Sequence, residues 1–354
     1  MFPPTIKIVG FHNTKSMKLL LISDIHFGVR SESPYFREQH SRLFDQIVGY
    51  LKEHFIDDIW VLGDVFDKRK NGDYATIKFA MEQFSRLEPY CHRIRMLVGN
   101  HDSYYKNTLL INSLKLIFRK ECYDIHDSPH DDGEICIIPW ICDDNYDACM
   151  ETIRKSSSDI CFGHFELAGF QYNKSTVASE GMDSSILSKF QTVLTGHYHI
   201  RSSRGNIHYL GSPIQLTWDD YNLFKGFHVF DTVTHKLEFI RNNDIVYMVY
   251  NYGDRIFPNR NMIVRVLVDG DVGKDDVDRY VEKVKVTEPY DLKVIFSPSK
   301  KDSSESESKI DCVDTRQSLM NFSSDYIEPD MSTEKMDSII DGVYNEAVNM
   351  DGGS

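Results

Sequence analysis

Residues 17–28 read MKLLLISDIHFG. An unbroken apolar run this short, with no polar residue on either face, is the pattern of a strand covered on both sides. It ends in Ser23, Asp24 and His26, so reactive side chains stand where the strand leaves its sheet. The same pattern recurs downstream. DDIWVLGD (57–64) runs into GDVFD with Asp64 and Asp67, and HRIRMLVGNHD (92–102) carries Asn100, His101 and Asp102. DICFGHFE (159–166) carries His164, and FQTVLTGHYH (190–199) carries His197 and His199. EICIIPW (134–140) is a further strand, while FREQHSRLFDQIVGYLKEH (36–54), YATIKFAMEQFSRL (74–87) and NYDACMETIRKS (145–156) show helical periodicity. After Ile207 only strand-like runs follow: IHYLGSP, GFHVFDT and KLEFIRN. The expected class is α/β, with layers around a sheet core and antiparallel strands at the close.

In an α/β sheet the carboxyl ends of the strands converge on one edge, where ligand sites form. Gly63, Gly99, Gly163 and Gly196 precede the polar residues and are expected to allow sharp exits from the strands. Side chains alternate along an extended chain, so His197 and His199 are expected to point the same way. Carboxylate, imidazole and amide donors without thiolates suit Mn²⁺, Fe²⁺ or Zn²⁺ and not a structural zinc cluster. The set is too large for one ion and about enough for two. Two ions roughly 3.5–4 Å apart can share a carboxylate, activate water and stabilise both oxygens of a phosphoryl displacement. Alone, DIH or GHYH is a weak signal, and GNHD could be a turn. All of these endings in order, each after an apolar strand, point to binuclear phosphoester hydrolysis. His12, His40, His54, His92, His126, His130, His208, His228 and His235 lack such context and read as packing or surface residues.

Composition sets the outer limits. At 354 residues there is room for one large domain and a smaller one, and 41% apolar with 27% charged residues is ordinary for a globular protein. No apolar run approaches the roughly 20 residues that span a bilayer. Residues 1–16 lack the pattern of a secretory signal and read as an N-terminal extension, or as a misassigned start before Met17. Location in the cytoplasm is the expectation, with no membrane association. Seven scattered cysteines without a CxxC pair read as reduced thiols. A net charge of −14 argues against a broadly basic nucleic-acid binder but leaves room for a local basic strip. MIVRVLVDG, DDVDRYVEKVK and DLKVIFSP suggest a small second α/β unit. SPSKKDSSESESKID (297–311) reads as a flexible linker, and Met336, Ile339, Ile340, Val343 and Ala347 fall at helical spacing.

DxH, GDxxD, GNHD, GH and GHxH in this order resemble the calcineurin-like metallophosphoesterases. More narrowly, SDIHFG, GDVFDKRK, GNHDSYYKN, IPWICDDN, GHFELAGF and YLGSPIQLTWDD resemble the SbcD-type nucleases of recombination complexes, those of T-even-type bacteriophages above all. Phosphoprotein phosphatases carry GDxVDRG and GNHE, from which GDVFDKR and GNHD depart.

The resemblance implies a two-sheet sandwich flanked by helices over 17–248, a small α/β capping domain that binds DNA over 249–298, and a flexible linker over 299–312. A C-terminal helical segment over 313–354 would dock on the coiled coil of an SbcC-like ABC-type ATPase. It implies that Asp24, His26, Asp64 and His199 hold one divalent ion, and Asp64, Asn100, His164 and His197 the other, with Mn²⁺ the metal the family prefers. His101, not itself a ligand, would protonate the leaving oxygen or stabilise the transition state, and Asp67 would orient a ligand or His101. Arg69, Lys70, Lys106 and Arg201 are expected to contact the DNA backbone. The implied activity is metal-dependent exonuclease action on double-stranded DNA and endonuclease action on single strands, serving recombination, repair and replication. The implied assembly is a homodimer within a heterotetramer. Rival readings are a phosphodiesterase or phosphatase for small phosphoesters, and a catalytically dead scaffold for the ATPase.

Overall fold

Leu19, Leu20, Leu21 and Ile22 are all buried because their strand is covered on both faces. The computed structural model describes residues 16–297 apart from Asn71, Asn173 and Ser175. In it Leu19 and Leu21 face a second sheet, and Leu20 and Ile22 face helices. The strands in chain order are β1 (Lys18–Ile22), β2 (Asp58–Val61), β3 (Arg93–Leu97), β4 (Tyr123–His126), β5 (His130–Asp131), β6 (Ile135–Ile138), β7 (Ile160–His164) and β8 (Thr192–Gly196). There follow β9 (Ser202–Arg204), β10 (Ile207–Tyr209), β11 (Gly226–Asp231), β12 (Leu237–Arg241), β13 (Tyr247–Asn251), β14 (Ile263–Asp269) and β15 (Asp291–Ser297).

One sheet has the order β12-β11-β1-β2-β3-β4, the other β5-β6-β7-β8-β10-β9. β1 to β4 are parallel, as are β6, β7, β8 and β10, while β11 and β12 close the first sheet antiparallel. Trp60, Leu97, Phe162, Leu194 and Phe230 fill the space between the sheets. On the outer face of the first sheet, helix Pro34–Glu53 buries the stripe Phe36, His40, Leu43, Phe44, Ile47 and Leu51, spaced as one helical face. Helix Tyr74–Ser85 is started by Asp73, whose carboxylate accepts from the amides of Ala75 and Thr76, and it adds Phe84. Helix Tyr146–Lys155 lays Cys149 and Ile153 on the outer face of the second sheet. The two-sheet α/β sandwich flanked by helices is therefore the fold.

The small unit is a parallel sheet, β13-β14-β15, with helix Lys274–Lys285 on one face. Val264, Val266 and Val268 alternate inward along β14 to meet Val277, Tyr280 and Val284. The division expected between residues 248 and 249 falls inside β13, whose first residue, Tyr247, is buried in the main core. The linker over 299–312, the helical segment over 313–354 and all of the 1–16 extension except Ser16 lie outside the described residues. Among the described residues no helix is long and apolar enough to cross a membrane, and six cysteines carry free thiols.

Candidate metal centre

The polar residues converge, but not on one edge of one sheet. β1, β2 and β3 deliver Asp24, His26, Asp64, Asp67, Asn100 and His101 from the first sheet, while β7 and β8 deliver His164, His197 and His199 from the second. Stacking aligns the carboxyl ends of the two sheets, and the ligands meet across the gap. The DIH and GDVFD loops run side by side: Asp24 N donates to Gly63 O, His26 N to Asp64 O and Phe27 N to Val65 O. Asp24 then reaches across the sheets, its carboxylate accepting from His197 N at 2.9 Å.

Two clusters result. Asp24, His26 and His199 present donor atoms that lie within 4.8 Å of one another, and so do Asp64, His164 and His197. Asn100 joins the second, its Oδ1 standing 3.1 Å from His164 Nε2 and 3.0 Å from His197 Nδ1. Asp64 lies between the clusters, with Oδ2 3.7 Å from His26 Nε2 and 3.5 Å from His164 Nε2. Its other oxygen accepts from His101 N at 2.8 Å.

The contacts inside the clusters suit a cation. His26 Nε2 and His199 Nε2 are 3.0 Å apart. His164 donates Nδ1–H to Leu62 O at 2.7 Å, so that on losing its other proton it presents a lone pair on Nε2 beside the Asn100 oxygen. Turning the Asn100 amide over would replace acceptor-against-acceptor contacts with hydrogen bonds to His164, His197 and Asp64. With its oxygen inward the side chain would serve as a ligand, and with its nitrogen inward as a donor to its neighbours. The titrations tell the same story. Asp24 is pushed up to about 6, by burial first and by Asp64, against the pull of His164. Burial would lower His164, but Asp64 outweighs it and holds the imidazole at about 9. Burial and His164 push His197 down to about 3, while burial, His26 and Lys225 hold His199 well below its ordinary value. Buried carboxylates here draw in positive charge, and a divalent ion supplies it.

Two local expectations need correction. His197 and His199 do not point the same way: β8 stops at Gly196, and His197 has a left-handed φ of 92°, which sends the two imidazoles into different clusters. Of the four glycines only Gly63, at φ 91°, turns the chain sharply. Gly99 matters for space instead, since a Cβ there would overlap Asp64. Four of the candidate ligands take the left-handed conformation themselves: Asp24, His26, Asp64 and His197 all have positive φ.

His101 touches both sides of the reacting face. Its Nδ1–H donates to Asp67 O at 2.6 Å, and its ring meets His26 edge-on at 4.9 Å. Asp67 serves two partners, because its carboxylate also stands 3.4 Å from His26 Nδ1. Arg69 brings Nη2 to 3.3 Å from the outward end of the Asn100 amide. The other basic positions are placed differently. Lys70 lies over the Tyr104 ring, Lys106 is exposed, and Arg201 stacks on Phe239 at 4.2 Å.

Several supporting residues escaped the sequence reading. Asp102 is fully buried, and its carboxylate accepts from the amides of Val65, Phe66 and Gly99, tying GDVFD to GNHD. His40 donates to Ile25 O at 2.7 Å and so fixes the DIH loop from the helix behind it. Trp140, in the IPWICDDN stretch, lies 5.0 Å from the His197 ring. Asp102 and Trp140 left a signal, inside GNHD and IPWICDDN, while His40 left none.

Several known proteins are similar to this chain. Residues 17–225 match the calcineurin-like phosphoesterase family. Exonuclease subunit 1 of Enterobacteria phage T4 is 32% identical over 336 residues, spanning 92% of this chain and 96% of that protein. The SbcD component of nuclease SbcCD from Escherichia coli (strain K12) is 23% identical over 281 residues, spanning 65% and 68%. Among solved structures, calcineurin-like phosphoesterase YfkN from Bacillus subtilis aligns with 64% of this chain and 88% of its own, at 11% identity and a TM-score of 0.36. With the family matched over most of its length and its candidate metal-binding residues gathered at the carboxyl ends of two stacked sheets, the chain belongs to the calcineurin-like phosphoesterases, hydrolases that work with divalent metal.

Proposed function

We propose that the chain is a metal-dependent DNA nuclease that hydrolyses phosphodiesters at a binuclear site. The observation that carries this is the pair of ligand clusters with Asp64 between them and His101 alongside. Asp24, His26, Asp64 and His199 would hold one ion and Asp64, Asn100, His164 and His197 the second; the donors suit Mn²⁺, Fe²⁺ or Zn²⁺, and Mn²⁺ is the choice that the family resemblance favours. When bound, the pair supplies an activated water and offsets charge on the phosphate oxygens.

The chain's own groups do the rest. Hydrogen bonding of His101 Nδ1 to Asp67 O turns Nε2 toward the open side, as the nitrogen that hands a proton to the leaving oxygen. Asp67 orients both His101 and His26. Arg69 has a buried Nη1 without a hydrogen-bond partner among the described residues, and its Nη2 faces the Asn100 amide. A guanidinium so placed lacks an acceptor, and a phosphate oxygen supplies one. Lys70, Lys106 and Arg201 would follow the DNA backbone farther from the chemistry.

The likeness to an exonuclease subunit and to a component of SbcCD supports DNA as substrate and an SbcC-like ABC-type ATPase as partner. The reading is exonuclease action on double-stranded ends and endonuclease action on single strands, in recombination and repair in the cytoplasm. The small unit would cap the DNA, and a homodimer would sit within a heterotetramer. Purified chain with Mn²⁺ and linear DNA, assayed with and without the ATPase, should release nucleotides. Turnover of small phosphoesters with no action on DNA in either assay would replace this reading with the small-substrate one.

A further inference from the structure

Lys225 is only 5% exposed, although an ammonium is costly to remove from water unless each of its protons is bonded. Here all three are. Nζ donates to His199 O at 2.7 Å, to Ser212 Oγ at 2.9 Å and to Asp220 Oδ1 at 2.5 Å. Asp220 uses its other oxygen to accept from the amides of Leu216 and Thr217. Gln215 continues the chain of contacts. Its Nε2 donates to Asp220 O at 2.9 Å, and its Oε1 accepts from the amides of Val246 and Tyr247, both at 2.9 Å. Tyr247 opens β13, the first strand of the small unit. A continuous run of buried polar contacts therefore joins the main chain of His199 to that unit.

The two clusters differ in this respect. His164 is the last residue of β7 and bonds to Leu62 O, and His197 N is held by Asp24, so the second cluster is fixed within the sheets. His199 lies beyond the end of β8, past the left-handed turn at His197, where in place of a neighbouring strand its carbonyl accepts from Ser212 N at 3.0 Å and from Lys225 Nζ. A fully satisfied ammonium demands three acceptors at fixed directions, which defines the place of the His199 carbonyl more narrowly than apolar packing does. Apolar residues of similar size are often no worse for stability than a buried ion pair, so the charge is better explained by position than by stability.

We propose that Lys225 is a positioning residue for His199, and that the Lys225–Asp220–Gln215 brace ties the Asp24–His26–His199 ion site to the small unit while leaving the other ion site independent of it. This rests on the two-ion reading above. The test is Lys225→Met in the full chain, with Mn²⁺ binding followed by calorimetry and by electron paramagnetic resonance. Wild-type chain should bind two ions. In the variant one site should weaken by about 10–100-fold, as supporting contacts around ligands commonly cost, and the other should keep its affinity. Gln215→Leu cuts the link at its far end and should weaken the same site by less, and it decides the matter alone if Lys225→Met fails to fold by circular dichroism. Equal weakening of both sites, or no change at either, overturns the proposal while the two-ion reading stands. A wild-type chain that binds a single ion sinks that reading and the proposal together.

Discussion

The two ends of the stacked sheets use similar residues to opposite effect. At the amino end of β1 a cavity of about 700 Å³ is lined by Lys18, His54, Asp57, Asp231, Lys236 and Glu238 among others. It has the size of a ligand pocket, yet much of its polar lining is engaged locally. Asp57 accepts from Lys18 N, Asp231 from the amides of Val233 and Thr234, and His54 bonds to Tyr50 O. At the carboxyl ends the arrangement is reversed. Imidazole nitrogens face each other, an amide oxygen faces acceptors, and the backbone is left-handed at four of the seven proposed ligands. The site is thus marked by polar groups without internal partners and not by empty volume.

That contrast can be tested at several points. His101→Ala should lower kcat by about 10²–10⁴-fold, the usual worth of general acid catalysis, with both ions still bound in calorimetry. Ion loss in this variant would make His101 a ligand and undo its assigned role. Arg69→Ala should lower kcat/KM on DNA by about 10–100-fold, matching one hydrogen bond to a charged group. An unchanged value would place Arg69 away from the scissile phosphate.

His228 lies between the two ends, on β11 beside Leu21, and burial pushes it down to about 3. The unfolded chain takes up its proton near pH 6.5 while the folded chain does not, so this contribution is present above 6.5 and lost as pH falls. From pH 6.5 to 5 that amounts to roughly 1.5 kcal/mol. His228→Phe should flatten the fall in melting free energy over this window by that amount, and a parallel fall in both proteins would refute it. At the amino end, Lys236→Ala and Glu238→Ala should leave nuclease rates within about twofold and stability within about 0.5 kcal/mol. A large rate loss there would give the cavity a function and end the contrast.

Much of this was readable in the chain itself. Apolar runs ending in DIH, GD, GNH, GH and GHYH identified every strand that leads to a proposed ligand, because burial between layers leaves no polar alternation to confuse the pattern. The partition of His197 and His199 was not readable from alternation, since that rule holds only while the strand continues, and Gly196 ends it. Short or mixed elements also escaped: β4 with its half-buried pattern, the two-residue β5, and β13, which shares its apolar run with the main core. Lys225 and His40 were invisible for a different reason. A charged or titratable residue becomes internal only when distant acceptors surround it, and no local pattern records that.

The left-handed backbone at Asp24, His26, Asp64 and His197 has an evolutionary consequence. Each such residue sits in a conformation that costs roughly 1–2 kcal/mol for any side chain with a Cβ, and that glycine adopts freely. Selection for heat resistance alone would favour glycine at these positions, removing the ligands in the act of making the protein sturdier. A thermally hardened lineage freed from its substrate should therefore lose its chemistry first at these bends, while the sandwich around them persists.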